Sequence, residues 1–440
     1  MSLGSPGSFS KEARGNMEDC VSALFQAGGY YVEKNIREEE VLELDAIITK
    51  YSGRDSLPEI RLVEVKSGDW GFSDLFKVRG WMDYLNLTAA LFIVTEKKHD
   101  MNFFREKAKK LGIELKTLSV LRSDMQIQDI DYKIWKCSNQ MERKLLERLK
   151  HYKKCHQDKK CFSALAEYYS TVNDKIFFMD DILERVTQLY QVFEKFSHIS
   201  AKCGNELMGK SFDEDCSTLP KEIYEKTYYV CDADPVYKIS TIHISTFVEH
   251  RARLAILKSA VDYILDQKNE MVKDQKYDLS LREQGFTVRP TLDELPASFR
   301  EGLQKIAKDK YFHRYPIFWQ WFMWAFGGFI LRDYEEKEYE ILSHKTGIPV
   351  DEIPNALKSY EILFPIKEQG WFLEPSSESN IKLMKMLPVP FMGIGALYRA
   401  FIYTESKELN DLKTTGKHTL NDLLKWHTLF EKYLSEGKCR

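Results

Sequence analysis

Three residues combine types and spacing that suit chemistry at a phosphate: Asp45 in the run ELDAIIT (43–49), and Glu64 and Lys66 in IRLVEVK (60–66). Side chains two apart on a strand share a face, so Glu64 and Lys66 project together while Val63 and Val65 project the other way. A hairpin neighbour carrying Asp45 brings a second carboxylate beside Glu64. Buried without a role, such a trio is expensive, because an unpaired charge in an apolar interior costs several kcal/mol or shifts its pKa until it is neutral. A hard divalent cation removes the conflict. Two carboxylates suit Mg²⁺ or Mn²⁺, which keep several waters and complete their shell from carbonyl and phosphate oxygens, the Val65 carbonyl among them. Lys66 is then placed to orient or deprotonate a water beside the ion and to offset charge on a phosphate under attack. Glu18 borders the apolar helical stripe of Met17, Cys20, Val21, Leu24 and Phe25, and is a candidate to hold a second ion or the attacking water.

The elements that must position these residues are legible in order. The stripe at 17–27 predicts a helix, stopped by Gly28-Gly29. YYVEKNI (30–36), ELDAIIT and IRLVEVK predict a three-strand meander. A helix from about Ser73 to Leu87, a strand ALFIVTE (90–96), a helix from about Met101 to Leu111 and a last strand IELKTLSV (113–120) follow. The order αβββαβαβ predicts an α/β domain with a mixed sheet at 15–125, after a disordered or vector-derived N-terminus at 1–14. Beyond residue 125 alternating runs nearly vanish and helical patterns dominate. Linker-like stretches at 204–222 and 287–298 divide that part into a helical region, 126–286, and a helical C-terminal domain, 287–440.

The whole chain sets bounds. With 440 residues, 43% hydrophobic and 30% charged, it has the balance of a soluble protein of two or three domains, and its formal charge of -3 neither favours nor excludes a local basic groove. Eight scattered cysteines without a CxxC pair match a reducing, cytoplasmic setting. Cys155, His156 and Cys161 lack a second ligand pair of zinc spacing. The aromatic run at 315–331 contains Gln320 and Gly327-Gly328, so it reads as a buried helix and not as a membrane span. Walker, GxGxxG and HExxH patterns are absent from the sequence.

Asp45, eighteen residues and then Glu64-Val65-Lys66, preceded by a helix bearing Glu18, resembles the PD-(D/E)XK nuclease superfamily over residues 15–122, in particular its Mrr-like restriction-endonuclease and Holliday-junction-resolvase branches. The resemblance implies a restriction-endonuclease-like fold in which Asp45 and Glu64 bind Mg²⁺, Lys66 is catalytic and Glu18 supports the site. It departs from the family at Leu44, where many members carry Pro, and at Lys77, four residues before the aromatic Trp81, where Mrr-like proteins often carry Gln. Lys77 and Arg79 are candidate phosphate contacts.

The expected function is a Mg²⁺- or Mn²⁺-dependent endonuclease hydrolysing phosphodiester bonds, in DNA by preference, leaving a 5′-phosphate and a 3′-hydroxyl as the family implies. The alternatives are a catalytically silent nuclease-like module for nucleic-acid binding or assembly, and RNA as the substrate. No membrane partner is expected, and a homodimer is open, since resolvases and many restriction enzymes are dimers. Residues 337–375 suggest a helix, a turn at Gly347-Ile348-Pro349, a second helix from about Val350 to Leu363, and a wing near Gly370-Trp371-Phe372, although that second helix carries few basic residues.

Overall fold

The protein is represented by a computed structural model that describes residues 11–38, 42–51, 58–95, 100–155, 181–191, 241–274, most of 295–363 and 381–384, with single positions between 163 and 171. The chain divides into two units, one of Met1–Tyr51 with Pro58–Gln140, the other mainly Met141–Arg440.

In the first unit, helix α1 (Lys11–Ala27) ends where the apolar stripe ends. Gly29 takes φ 80, which lets the Tyr30 N–H reach back to the Phe25 carbonyl at 2.9 Å. Strands β1 (Tyr31–Glu38), β2 (Leu42–Lys50) and β3 (Glu59–Lys66) form the expected antiparallel meander. Two crossovers follow: helix α2 (Phe72–Tyr84) leads to β4 (Ala90–Val94), and helix α3 (Met101–Lys110) leads to β5 (Ile113–Thr117), both strands parallel to their predecessors. The result is one mixed five-stranded sheet in the order β1-β2-β3-β4-β5.

Two boundaries differ from the sequence expectation, each for a local reason. The run IELKTLSV does not stay extended to residue 120. Thr117 accepts the Val120 N–H at 3.4 Å and starts helix α4 (Leu118–Met125), an N-cap that interrupts the strand. Helix α2 stops at Tyr84 and not at Leu87, because Asn86 turns left-handed at φ 53 and the Leu87 N–H bonds the Met82 carbonyl at 2.8 Å.

The sheet is covered on both faces. Val63, Val65, Ala46, Ile48, Leu91 and Ile93 pack with Met17, Val21, Leu24 and Phe25 of α1 and Leu121 of α4. By strand alternation Glu64 and its ladder partner Phe92 leave from the opposite face, where the Phe92 ring meets Trp70 at 5.7 Å and Trp70 meets Phe104 of α3 at 5.0 Å.

Helix α5 (Asp129–Cys155) ties itself to the α1 face through a polar contact. Lys34, 6% exposed, donates to Asn139 Oδ1 at 2.9 Å, and Asn139 Nδ2 donates to Gln26 Oε1 at 2.8 Å and to the Asp19 carbonyl at 3.2 Å. Removing one member of a buried, hydrogen-bonded set strands the others away from water. Asn139→Ala is therefore expected to cost about 3 kcal/mol in urea unfolding. The double change Lys34→Met with Asn139→Leu should recover part of that loss, and an Asn139→Ala variant as stable as the parent would contradict the assignment.

In the second unit the described residues are mainly helical: Thr241–Lys273, Ala297–Ile306, Lys310–Arg314, Glu335–Thr346 and Ile353–Leu363, with a small antiparallel pair of Phe329–Leu331 and Ile381–Met384. Helix Ala297–Ile306 begins inside the stretch read as a linker. The aromatic run at 315–331 does bury Phe318, Trp321, Phe322 and Phe326, but its last three residues are a strand and not helix, with the Leu331 N–H held by buried Glu338 at 3.0 Å. Gly347 turns left-handed at φ 73 between Glu335–Thr346 and a short 3-10 turn, Val350–Glu352, which precedes Ile353–Leu363. The second helix of the expected pair thus starts three residues later than its sequence suggests. The expected wing near Trp371, the linker at 204–222, residues 1–10, and His156 and Cys161 lie outside the described residues. Among the described residues no helix is long and apolar enough to cross a membrane.

Candidate functional site

Asp45, Glu64 and Lys66 meet at the end of the β2–β3 ladder. Ala46 faces Val63, which sets Asp45 opposite Glu64 where the regular pairing stops. On the other side of β2, Lys34 pairs with Ala46 and Ile36 with Leu44, while Asn35 between them takes a left-handed φ of 52. Asn is among the few residues that adopt this conformation readily. The sheet is therefore irregular on both sides of Asp45, and Asp45 uses the opening: its Oδ2 accepts the Val65 N–H at 2.8 Å.

This bond fixes two directions at once. The N–H and C=O of one strand residue point to the same side, so the Val65 carbonyl also points towards β2. Side chains alternate, so Glu64 and Lys66 share the α3 face with Asp45. Lys66 Nζ lies 2.7 Å from Glu64 Oε1 and 3.9 Å from Oδ1 of Asp74, a residue of α2 whose other oxygen accepts the Gly71 N–H at 2.9 Å. Asp74 so caps α2 and faces the ammonium.

Charge is crowded here. Asp45 is 8% and Glu64 3% exposed. Burial, then the neighbouring Asp45 charge, push the Glu64 pKa from 4.5 up to about 7, although Lys66 and the Lys77 charge pull it down. Burial disfavours the charged form of Lys66, yet its hydrogen bond to Glu64 and the carboxylates of Glu64, Asp45 and Asp74 outweigh that and hold its pKa above the ordinary lysine value. Glu33 stands opposite Ile47 and so shares the Asp45 face, with its Oε2 buried and lacking a hydrogen-bond partner.

Three carboxylates, those of Glu64, Asp45 and Asp74, thus act on the Lys66 ammonium, and the residues fit a hard cation. Two carboxylates and a backbone carbonyl aim at the end of one ladder, and a cation there would offset the burial and the Asp45 charge that raise the Glu64 pKa. Among the described residues no three His, Cys, Asp or Glu side chains gather into one ion-holding group. The remaining oxygens of a Mg²⁺ shell would come from the Val65 carbonyl, water and substrate phosphate, the usual pattern for this ion.

The other residues expected from the sequence are placed as follows. Glu18 is half-buried on α1, the helix that covers Val63 and Val65 and not the Glu64 face. Lys77 lies over the Trp81 ring at 4.3 Å, with its charge felt at Glu64. Arg79 pairs with Asp83 and donates to the Leu111 carbonyl at 3.3 Å, so in this conformation it serves α2 and the loop before β5. Asp74 and Glu33 were missed in the sequence. Asp74 carries a signal there, an acid three residues after Gly71 where a capping side chain belongs, and Glu33 carries one in its strand alternation.

No family model, curated protein or solved structure matches the chain.

Proposed function

We propose that the N-terminal unit is a divalent-cation-dependent endonuclease of the PD-(D/E)XK kind, hydrolysing phosphodiester bonds in DNA. The observation that carries the reading is the juxtaposition of buried Asp45 and Glu64 across two strands with the Lys66 ammonium 2.7 Å from Glu64. A structural ion pair explains Lys66 with one carboxylate. It does not explain a second, buried carboxylate that raises the pKa of the first, and such perturbed groups concentrate at functional sites. The order αβββαβαβ and the mixed sheet agree with the superfamily whose residue spacing the chain resembles.

In this reading Asp45 and Glu64 hold the ion and, with the Val65 carbonyl, set its position. Bound there, Mg²⁺ or Mn²⁺ neutralises charge on the scissile phosphate and makes a nearby water easier to deprotonate. Lys66 orients the attacking water on the side of Glu64 and offsets the charge that grows on the phosphate oxygens. Lys77 adds a second cation at the rim, a contact for the next phosphate along the backbone. The resemblance implies a supporting role for Glu18, but α1 covers the Val63 and Val65 face, so no part in holding the ion is assigned to it.

The direct test is nicking of a supercoiled plasmid in Mg²⁺, in Mn²⁺ and in EDTA, with Asp45→Ala as the control. Nicking that needs the cation and disappears in Asp45→Ala is expected. A parent protein that leaves the plasmid intact, or an Asp45→Ala variant that still cuts, would turn the assignment towards a silent binding module.

A further inference from the structure

The outward face of α2 carries two exposed aromatic rings. Leu75, Val78 and Met82 are its buried residues, while Phe76 is 62% and Tyr84 61% exposed. Phe76, Gly80 and Tyr84 stand at i, i+4 and i+8 and so line one stripe with a ring at each end. At about 1.5 Å per residue they are about 12 Å apart along the axis, the length of three to four base steps at about 3.4 Å.

Gly80 is the unexplained member. Glycine inside a helix costs about 1 kcal/mol relative to alanine, and a Cβ at this position would meet nothing within 4 Å. Packing within the protein therefore does not call for glycine there. A bare helix surface between two exposed rings instead suits a flat group that approaches from outside. The charge of the stripe agrees: Lys77 lies over the Trp81 ring at 4.3 Å, and the nearby acid, Asp83, is paired with Arg79. The same helix borders the candidate site: Lys77, next to Phe76, carries its charge to Glu64, and Asp74 faces Lys66.

We propose that the Phe76–Gly80–Tyr84 face of α2, with Lys77 and Trp81, is a stacking platform for an unpaired nucleic-acid strand that runs towards the cleavage site. Bases lie on the two rings across the Gly80 surface, and a backbone phosphate meets Lys77. The proposal rests on the nuclease reading and narrows its substrate to nucleic acid with a single-stranded portion, cut near the junction with duplex.

The test is fluorescence anisotropy of the full chain with labelled oligo(dT) and with the same strand in duplex, in EDTA, where binding is read without cleavage. The parent is expected to hold oligo(dT) more tightly than duplex. Because base–aromatic stacking contributes about 1–3 kcal/mol per base, Phe76→Ala and Tyr84→Ala should each weaken oligo(dT) binding by about 5-fold or more. Gly80→Leu should weaken it similarly by filling the gap between the rings, and Phe76→Trp should preserve it. Unchanged oligo(dT) affinity in the Phe76→Ala, Tyr84→Ala double variant overturns the platform. So does a double variant that sediments as a smaller species than the parent, which would make this face a contact between copies of the chain. Plasmid nicking is read separately: ring-dependent oligo(dT) binding by a parent that does not nick would retain the platform and reject the hydrolysis, whereas nicking without ring-dependent binding would do the reverse.

Discussion

Lys66→Ala is expected to lower the rate of phosphodiester cleavage by about 10³-fold, a loss of about 4 kcal/mol in transition-state stabilisation, while affinity for DNA in EDTA changes by less than about threefold. Two effects combine. The ammonium is lost from the place where charge develops on the phosphate. Its removal also takes away the hydrogen bond and positive charge that lower the Glu64 pKa, so Glu64 becomes protonated at still higher pH and holds a cation more weakly near neutrality. Raising the pH should therefore restore cation binding in Lys66→Ala, measured by calorimetry, without restoring the rate. Lys66→Arg keeps the charge but not the geometry and should fall between the two. DNA binding should persist, because a single site lysine adds little to a backbone interaction spread over many contacts. A Lys66→Ala protein that cuts at the parent rate would show the lysine to be a structural ion-pair partner only.

The second large effect is on stability without a divalent cation. Glu64 has a pKa near 7 in the folded protein against 4.5 when unperturbed, so between these values the folded state binds more protons than the unfolded state. Stability contributed by this group is then complete below about pH 4.5 and falls as pH rises to about 7, beyond which it is level. At about 1.4 kcal/mol per decade the span corresponds to a loss of about 3 kcal/mol. Urea unfolding in EDTA at several pH values should show this downward slope for the parent and not for Glu64→Gln, since the amide carries no proton to lose. Adding Mg²⁺ should reverse the loss at pH 7.5, because the ion takes the place of the proton and binds only the folded state. Equal slopes for parent and Glu64→Gln would mean that the carboxyl is not under the strain its surroundings imply.

Much of the candidate site is legible in the chain because it is built from local periodicity. The strands ELDAIIT and IRLVEVK alternate with period 2, and that alone aims Glu64 and Lys66 together and Val63 and Val65 away. The stripe of α1 and its Gly28-Gly29 stop are likewise local. The boundaries that moved did so where a side chain competed with the backbone pattern, as at Thr117, or where one residue turned left-handed, as at Asn86. The assignment of Glu18 has no such local basis, for stripe position says which face of a helix is buried and not which layer of the sheet it covers.

Sequence alone determined the residue types, their spacing and the αβββαβαβ order, because propensity and alternation act over a few residues. Only the tertiary structure decided that Asp45 caps the Val65 N–H, that Asp74 enters from α2 to face Lys66, that Glu33 shares the Asp45 face, and that Lys34 bonds an asparagine 105 positions away. Those outcomes depend on strand register, on the left-handed turn at Asn35 and on which helix covers which face. All three are set by the simultaneous packing of segments far apart in the chain, where a one-residue slip would turn the strand residues Glu33, Lys34 and Asp45 to the other side of the sheet.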